Sequence, residues 1–269
     1  MFVLLHAFFS VILGFWFVLL GFFYPAYGIT MPGVTDPVRM PPAFWSRSTF
    51  PGKAEIDAVI FDLDGTLLDS LSAWEHSGSN FVRSQGLEPA NTLDDELVKM
   101  SLMDGANLIK NRYQLPQSPE EILALTLRPI EAHYENDILP MPGVPALLVR
   151  LKAQGIKMAV ATASDRKLAE VSLKRLGLRD YFEFIITCDE VGVGKSSPAV
   201  YEEALRRLGT TKARTLVAED ALHALQTAHA AGFPTAAIEE AHSSAQQAAK
   251  KQAATYYVRS YEGRNVFKK

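Results

Sequence analysis

Five short apolar runs, Ile56–Phe61, Lys157–Ala161, Phe184–Thr187, Thr215–Ala218 and Thr235–Ile238, alternate with stretches of helical periodicity. Each run is rich enough in Val, Ile, Ala or Phe to form a strand buried on both faces. The intervening stretches include Ala146–Gln154, Arg166–Leu176, Pro198–Leu208 and Ala221–Ala231, several of them closed by a glycine (Gly155, Gly177, Gly209, Gly232). Glycine is the residue helices favour just past their C-termini. Strand and helix alternating in this order predict an α/β fold, a Rossmann-like parallel sheet with helices on both faces.

One interval breaks the alternation. Residues 70–142 carry helical periodicity in Leu71–Gln85, Leu93–Met100, Leu102–Tyr113 and Pro119–Asn136, but contain no convincing strand. An all-helical insertion after the first strand is the economical reading. It divides the chain into an α/β core, 54–69 and 143–269, and a helical domain, 70–142. The end of the chain predicts a helix in Ala241–Ala254 and an edge strand at Thr255–Val258.

The first 35 residues hold no Asp, Glu, Lys or Arg, and Phe2–Tyr24 is almost continuously apolar. That length is close to the ~20 residues that span a bilayer. The run lacks the basic start of a cleaved signal peptide, although Ala26-Tyr27-Gly28 resembles a cleavage site. Residues 1–30 are therefore expected to be an apolar helical anchor, with 1–24 as the membrane contact. The basic residues that follow, Arg39, Arg47 and Lys53 against Asp36, place the catalytic bulk in the cytoplasm. A start at Met31 or Met40 would instead leave a soluble cytoplasmic protein. Residues 31–53, with Pro32, Pro37, Pro41, Pro42 and Pro51, read as an extended linker.

The 27 basic and 30 acidic residues are spread along the chain for a net charge of −3. No basic block tracks a phosphate backbone, which argues against nucleic acid as a partner. Cys188 is the only cysteine, so neither an intramolecular disulfide nor a cysteine zinc cluster can form. It is expected to be a buried structural thiol.

Ligands of parallel α/β sheets bind beyond the C-terminal ends of the strands. The residues at those ends form a consistent set. Asp62 and Asp64 follow the first strand, Thr162 and Ser164 the second, and Glu219 and Asp220 the fourth. Lys195 follows the third, in the loop Val191-Gly192-Val193-Gly194-Lys195. Clustered carboxylates repel one another unless a cation sits among them. Oxygen-only ligands without His or Cys favour a hard ion, and Mg²⁺ suits a few carboxylates plus a substrate phosphate. A lysine and a hydroxyl would hold the other phosphate oxygens. A carboxylate oriented by the metal can attack phosphorus, giving an aspartyl-phosphate, while a neighbouring carboxylate trades protons with the leaving alkoxide and the water.

Asp62-Leu63-Asp64-Gly65-Thr66-Leu67, Thr162, Lys195 and Glu219-Asp220 resemble the four ordered motifs of the haloacid dehalogenase superfamily. The resemblance runs from about Ala54 to Glu240, and the helical insertion is similar to the small cap of its phosphoglycolate phosphatase and β-phosphoglucomutase branch. By that resemblance Asp62 is nucleophile and metal ligand. Asp64 is the general acid/base and lends a backbone carbonyl to Mg²⁺. Thr162 and Lys195 bind the phosphoryl group, and Asp220 with Glu219 holds the metal. The implied activity is that of a Mg²⁺-dependent phosphatase acting on a small phosphorylated metabolite. Asp64 argues against the halide-releasing members, which lack that residue. The chain departs from the pattern at Lys195-Ser196-Ser197-Pro198, where Lys-Pro-x-Pro is common, and has Ala221 and Ala224 after the metal motif.

Bland alternatives attach to single residues. Asp-Gly alone is a common turn dipeptide, and Lys195 alone would be a solvated lysine. Ser164 is a candidate substrate contact but also a candidate N-cap for the helix from Asp165 or Arg166. Trp74 is a candidate substrate contact, though an aromatic there more often belongs to a core. The same caution covers Met100, Met103 and Arg112, while His223 and His229 read as ordinary helical residues. Two further functions share these features: a phosphosugar mutase, which uses the same machinery, and a non-catalytic phosphate-binding or membrane-tethered scaffold.

Overall fold

A computed structural model describes residues 56–239, 246–262 and 266–267. The expected apolar anchor and proline-rich linker lie outside the described residues. Among the described residues no helix is long and apolar enough to cross a membrane.

Six strands form one parallel sheet: β1 (Ala58–Phe61), β4 (Lys157–Thr162), β5 (Ile185–Thr187), β6 (Thr215–Glu219), β7 (Thr235–Ile238) and β8 (Tyr256–Val258). Their order is β5-β4-β1-β6-β7-β8. The five expected strands are present with boundaries shifted by one or two residues, and the expected edge strand is β8. Alternation along the strands splits the core into two layers. Val59, Phe61, Met158, Val160 and Leu216 pack into one, and Ala58, Ile60, Ala159, Ala161 and Val217 into the other. Helices α6 (Val144–Ala153) and α7 (Arg166–Arg175) cover the first layer through Leu147, Leu148, Leu151, Leu168 and Leu173. Helices α9 (Ala199–Leu208) and α10 (Leu222–Ala230) cover the second, through Val200, Tyr201, Ala204 and Ala228.

A second, two-stranded ribbon frames the insertion. In it β2 (Leu68–Asp69) pairs antiparallel with β3 (Leu139–Pro140). Two residues per strand are too few for the sequence pattern to register. Between them lie five helices: α1 (Leu71–Trp74), α2 (Ser77–Ser84), α3 (Leu93–Leu97), α4 (Leu102–Tyr113) and α5 (Pro119–Asn136). The single helix expected over Leu71–Gln85 is two, because the chain turns at Glu75 and His76, the latter with φ +58°. Helix α4 begins where the Ser101 hydroxyl accepts from Asp104 N–H, and α5 where Ser118 and Glu121 form a reciprocal capping box. Phe81, Val82, Leu93, Ile109 and Ile122 give these helices a small core of their own. Two short helices complete the element order, α8 (Cys188–Val191) and α11 (Gln247–Ala253).

Candidate active site

In the parallel register Phe61 lies opposite Ala218, so the next residues, Asp62 and Glu219, stand level at the carboxyl edge of adjacent strands. Asp62 N–H donates to Ala218 O at 2.9 Å, carrying the strand pairing to its last residue. Both side chains continue the alternation of the layer under α9, which brings Lys195, from the loop before α9, between them. The Lys195 ammonium donates to Asp62 Oδ1 and to Glu219 Oε1, with all three residues buried. Tyr201, on α9, donates to the same Glu219 oxygen at 2.8 Å. Burial pulls the Lys195 pKa down, but the Asp62 and Glu219 carboxylates outweigh it and hold the ammonium above the ordinary lysine value.

Asp220 completes the group. Carboxylate oxygens of Asp62, Glu219 and Asp220 lie within 4.8 Å of one another. Burial, and then the Asp62 charge, push Glu219 up to about 7 and Asp220 well above the usual carboxylate range. A cation among them would relieve that repulsion. Glu219 Oε2 is buried without a hydrogen-bond partner, an acceptor with an unmet need. An oxygen-only donor set of this charge fits Mg²⁺. The Thr66 hydroxyl steadies the cluster by donating to Asp220 Oδ1 at 3.2 Å. Gly65, at φ +75°, lets the backbone pass directly beneath it: a Cβ there would meet Asp220 Oδ2 at 2.6 Å.

The Asp64 carboxylate lies outside this cluster of three and accepts three hydroxyls. Ser70 Oγ donates to its Oδ1 at 2.5 Å, Tyr134 OH donates to the same oxygen, and Ser164 Oγ donates to Oδ2. Burial raises its pKa, the Asp62 charge adds to the rise, and the three hydroxyls oppose it. Tyr134 is fully buried on α5, and its oxygen accepts from Trp74 Nε1 at 2.6 Å. The insertion therefore reaches down to touch a carboxylate of the core.

Asp62, Asp64, Thr162, Ser164, Lys195, Glu219, Asp220 and Trp74 all line one cavity of about 270 Å³. Ser164 does not cap α7; Asp165 does, accepting from Lys167 N–H at 2.7 Å, because its longer side chain reaches the first turn while the Ser164 hydroxyl is taken by Asp64. Thr162 Oγ1 accepts from Ser164 N–H at 2.9 Å, so both second-strand candidates belong to the site. Trp74 combines both readings, packing edge-on against Tyr134 at 6.3 Å while lining the cavity. Met100 also lines it, whereas Arg112 pairs with Glu96 and Met103 N–H reaches Asp189. His223, on α10, also lines the cavity, and burial lowers its pKa. Thr66 lies within the first motif but carries no expected role there, and Ser70, Tyr134 and Tyr201 belong to no motif. Ser70 is signalled only by nearness to Asp64, and the tyrosines not at all. Cys188 is buried as expected, and burial pushes its thiol up to about 11.

The chain has relatives of known kind. Hexitol phosphatase A of Escherichia coli strain K12 is 33% identical over 183 residues, covering 66% of this chain and 81% of that protein. A phosphoglycolate phosphatase of Rhodobacter capsulatus is 32% identical over 184 residues, covering 66% and 81%. A crystal structure of CbbY from Rhodobacter sphaeroides in complex with xylulose-(1,5)bisphosphate shares the fold, with a TM-score of 0.66 and 24% identity over 77% of this chain and 95% of that one. Haloacid dehalogenase-like hydrolases as a family match residues 59–238, a span that takes in every motif from Asp62 to Asp220. The chain belongs to the haloacid dehalogenase-like hydrolase family.

Proposed function

We propose that this protein is a Mg²⁺-dependent phosphatase that hydrolyses a small phosphomonoester through an aspartyl-phosphate on Asp62. The observation that carries the reading is the buried constellation at the strand ends: Lys195 shared by Asp62 and Glu219, Asp220 alongside, and Asp64 held separately by three hydroxyls.

Asp62 attacks phosphorus, the bond from phosphorus to the leaving alkoxide breaks, and Asp64 supplies that alkoxide with a proton. Burial and the Asp62 charge raise its pKa, the direction that favours a proton donor. Water then attacks the phosphoryl group and gives its proton back to Asp64, freeing Asp62. Lys195 and the Thr162 hydroxyl hold the phosphoryl oxygens. Asp62, Asp220 and Glu219 would hold Mg²⁺ with the backbone carbonyl of Asp64, and the ion would neutralise charge on the phosphate. The division 54–69 with 143–269 as catalytic core and 70–142 as cap fits this scheme, because the cap closes the cavity against bulk water. In support, Ser196 Oγ donates to Lys99 O at 3.0 Å, and Gly194 packs against the backbone of Met100.

The experiment is phosphate release from p-nitrophenyl phosphate. Turnover should require Mg²⁺, vanish on chelation, and fall on the order of 10⁴-fold or more in Asp62→Asn. Near wild-type release by Asp62→Asn would overturn the proposal. The phosphosugar mutase is the second reading, favoured by the fold shared with putative β-phosphoglucomutase of Thermotoga maritima at TM-score 0.58. Conversion of β-glucose 1-phosphate to the 6-phosphate, without free phosphate, would establish it. The full set of charged groups speaks against a non-catalytic scaffold.

A further inference from the structure

The cavity above the carboxylates is lined by the insertion with Leu71, Leu97, Met100, Leu102, Leu123 and Leu127. We infer that the leaving group is an uncharged, predominantly apolar alcohol, so that the substrate is a phosphomonoester of an alkyl or aryl alcohol rather than of a hydroxy acid, a polyol or a second phosphate. This rests on the phosphatase reading above and names its substrate class.

Among the described residues lining the cavity, Lys195 is the only lysine and there is no arginine. Lys195 is already shared by Asp62 and Glu219 at the floor. The one charge the insertion contributes is Asp94, of the wrong sign for a second anion. Its oxygens are also engaged, accepting from Ser79 N–H at 3.1 Å and Ser79 Oγ at 2.6 Å. Three further polar groups of the insertion are engaged in the same way, leaving Ser77 and His223 as the neutral polar side chains beside them. Ser101 Oγ donates to Asp104 at 2.9 Å, Thr126 Oγ1 to Ile122 O at 2.8 Å, and Trp74 Nε1 to Tyr134. Lys99 stands outside the lining, exposed. A carboxylate or a row of hydroxyls carried into such a space would lose its water and gain few partners, none of them a free cation among the described lining residues. An apolar group gains roughly 25 cal/mol for each Å² it buries there. The space suffices: an apolar cavity of about 150 Å³ holds benzene.

The test measures kcat/KM for n-hexyl phosphate, phosphoglycolate, sorbitol 6-phosphate and p-nitrophenyl phosphate with Mg²⁺. Hexyl phosphate should exceed phosphoglycolate and sorbitol 6-phosphate by about tenfold or more. In Leu97→Lys that ratio against phosphoglycolate should collapse by about tenfold, since the new ammonium offers the carboxylate a partner. Release from p-nitrophenyl phosphate with phosphoglycolate or sorbitol 6-phosphate equal to or better than hexyl phosphate would overturn the inference and leave the phosphatase reading intact. Release from none of the four would overturn both.

Discussion

The core supplies Asp62, Asp64, Lys195, Glu219 and Asp220 to the cavity, whereas the helical insertion supplies leucines, a methionine and one already engaged carboxylate. The floor is largely buried and the roof mostly half-buried, and they are built by different means. The charged floor sits on strand ends fixed by sheet register, with β1 paired on both sides and every residue of it buried. The apolar roof rides on short helices with a small core of their own. The contrast teaches why one scaffold can keep a reaction while changing its substrate. Buried like charges tolerate little displacement, because their compensation depends on close contact. An apolar wall tolerates exchange of one hydrophobic side chain for another of similar volume.

The largest break in this contrast should come from Gly65→Ala, which strikes the floor most closely, at Asp220. The residue occupies φ +75°, and its Cβ would lie 2.6 Å from Asp220 Oδ2 and 2.9 Å from Leu71 Cδ1. Turnover of p-nitrophenyl phosphate is expected to fall on the order of 10²-fold. Urea unfolding should show about 1–3 kcal/mol lost to backbone strain. Unchanged kinetics would mean that the floor is as yielding as the roof.

Tyr134→Phe cuts one of the two hydroxyls, Ser70 and Tyr134, by which residues 70–142 grip a floor carboxylate, while keeping the ring against Trp74. A hydrogen bond to a charged group contributes roughly 1.5–3 kcal/mol, so kcat should drop about 10- to 100-fold. Removing a donor to the carboxylate disfavours its ionised form, so the limb of the pH–rate profile set by Asp64 should move to higher pH. A drop in kcat with no shift of that limb would assign Tyr134 to packing alone.

The last test concerns reactivity and leaves turnover unchanged. Cys188 lies in the core layer under α9, and burial pushes its thiol up to about 11. Iodoacetamide at pH 8.5 should label the native thiol roughly 10²-fold more slowly than the urea-unfolded one, whose pKa is ordinarily about 8.5. In a Cys188→Ser background, Leu97→Cys on the roof should label faster than native Cys188. Equal rates would erase the distinction between a rigid core and an accessible roof.

Alternation of apolar runs with amphipathic stretches was enough to place β1, β4, β5, β6 and β7 and the helices between them, because burial on both faces leaves a continuous apolar signature. The four-residue turn of α1 and the ribbon of β2 and β3 escaped, since neither is long enough to show a period. Charged residues of the site were legible for a related reason: an Asp or Lys directly after a buried strand has few structural uses. Ser70, Tyr134 and Tyr201 were not, because a hydroxyl is at home almost anywhere and its role depends on what lies opposite.

From the sequence alone came the parallel sheet, the helical insertion and the set Asp62, Asp64, Thr162, Lys195, Glu219 and Asp220, all of them local in pattern. Tertiary structure decided which of these groups come within hydrogen-bonding or ion-pairing reach of one another, and what encloses them. Tyr134 meets Asp64 across 70 positions and Lys195 meets Asp62 across 133. Distances of that kind are set by packing, which no local period records. The apolar roof is likewise a product of packing, since Leu97, Leu123 and Leu127 would read in isolation as ordinary helix core, and only the fold turns them toward the carboxylates.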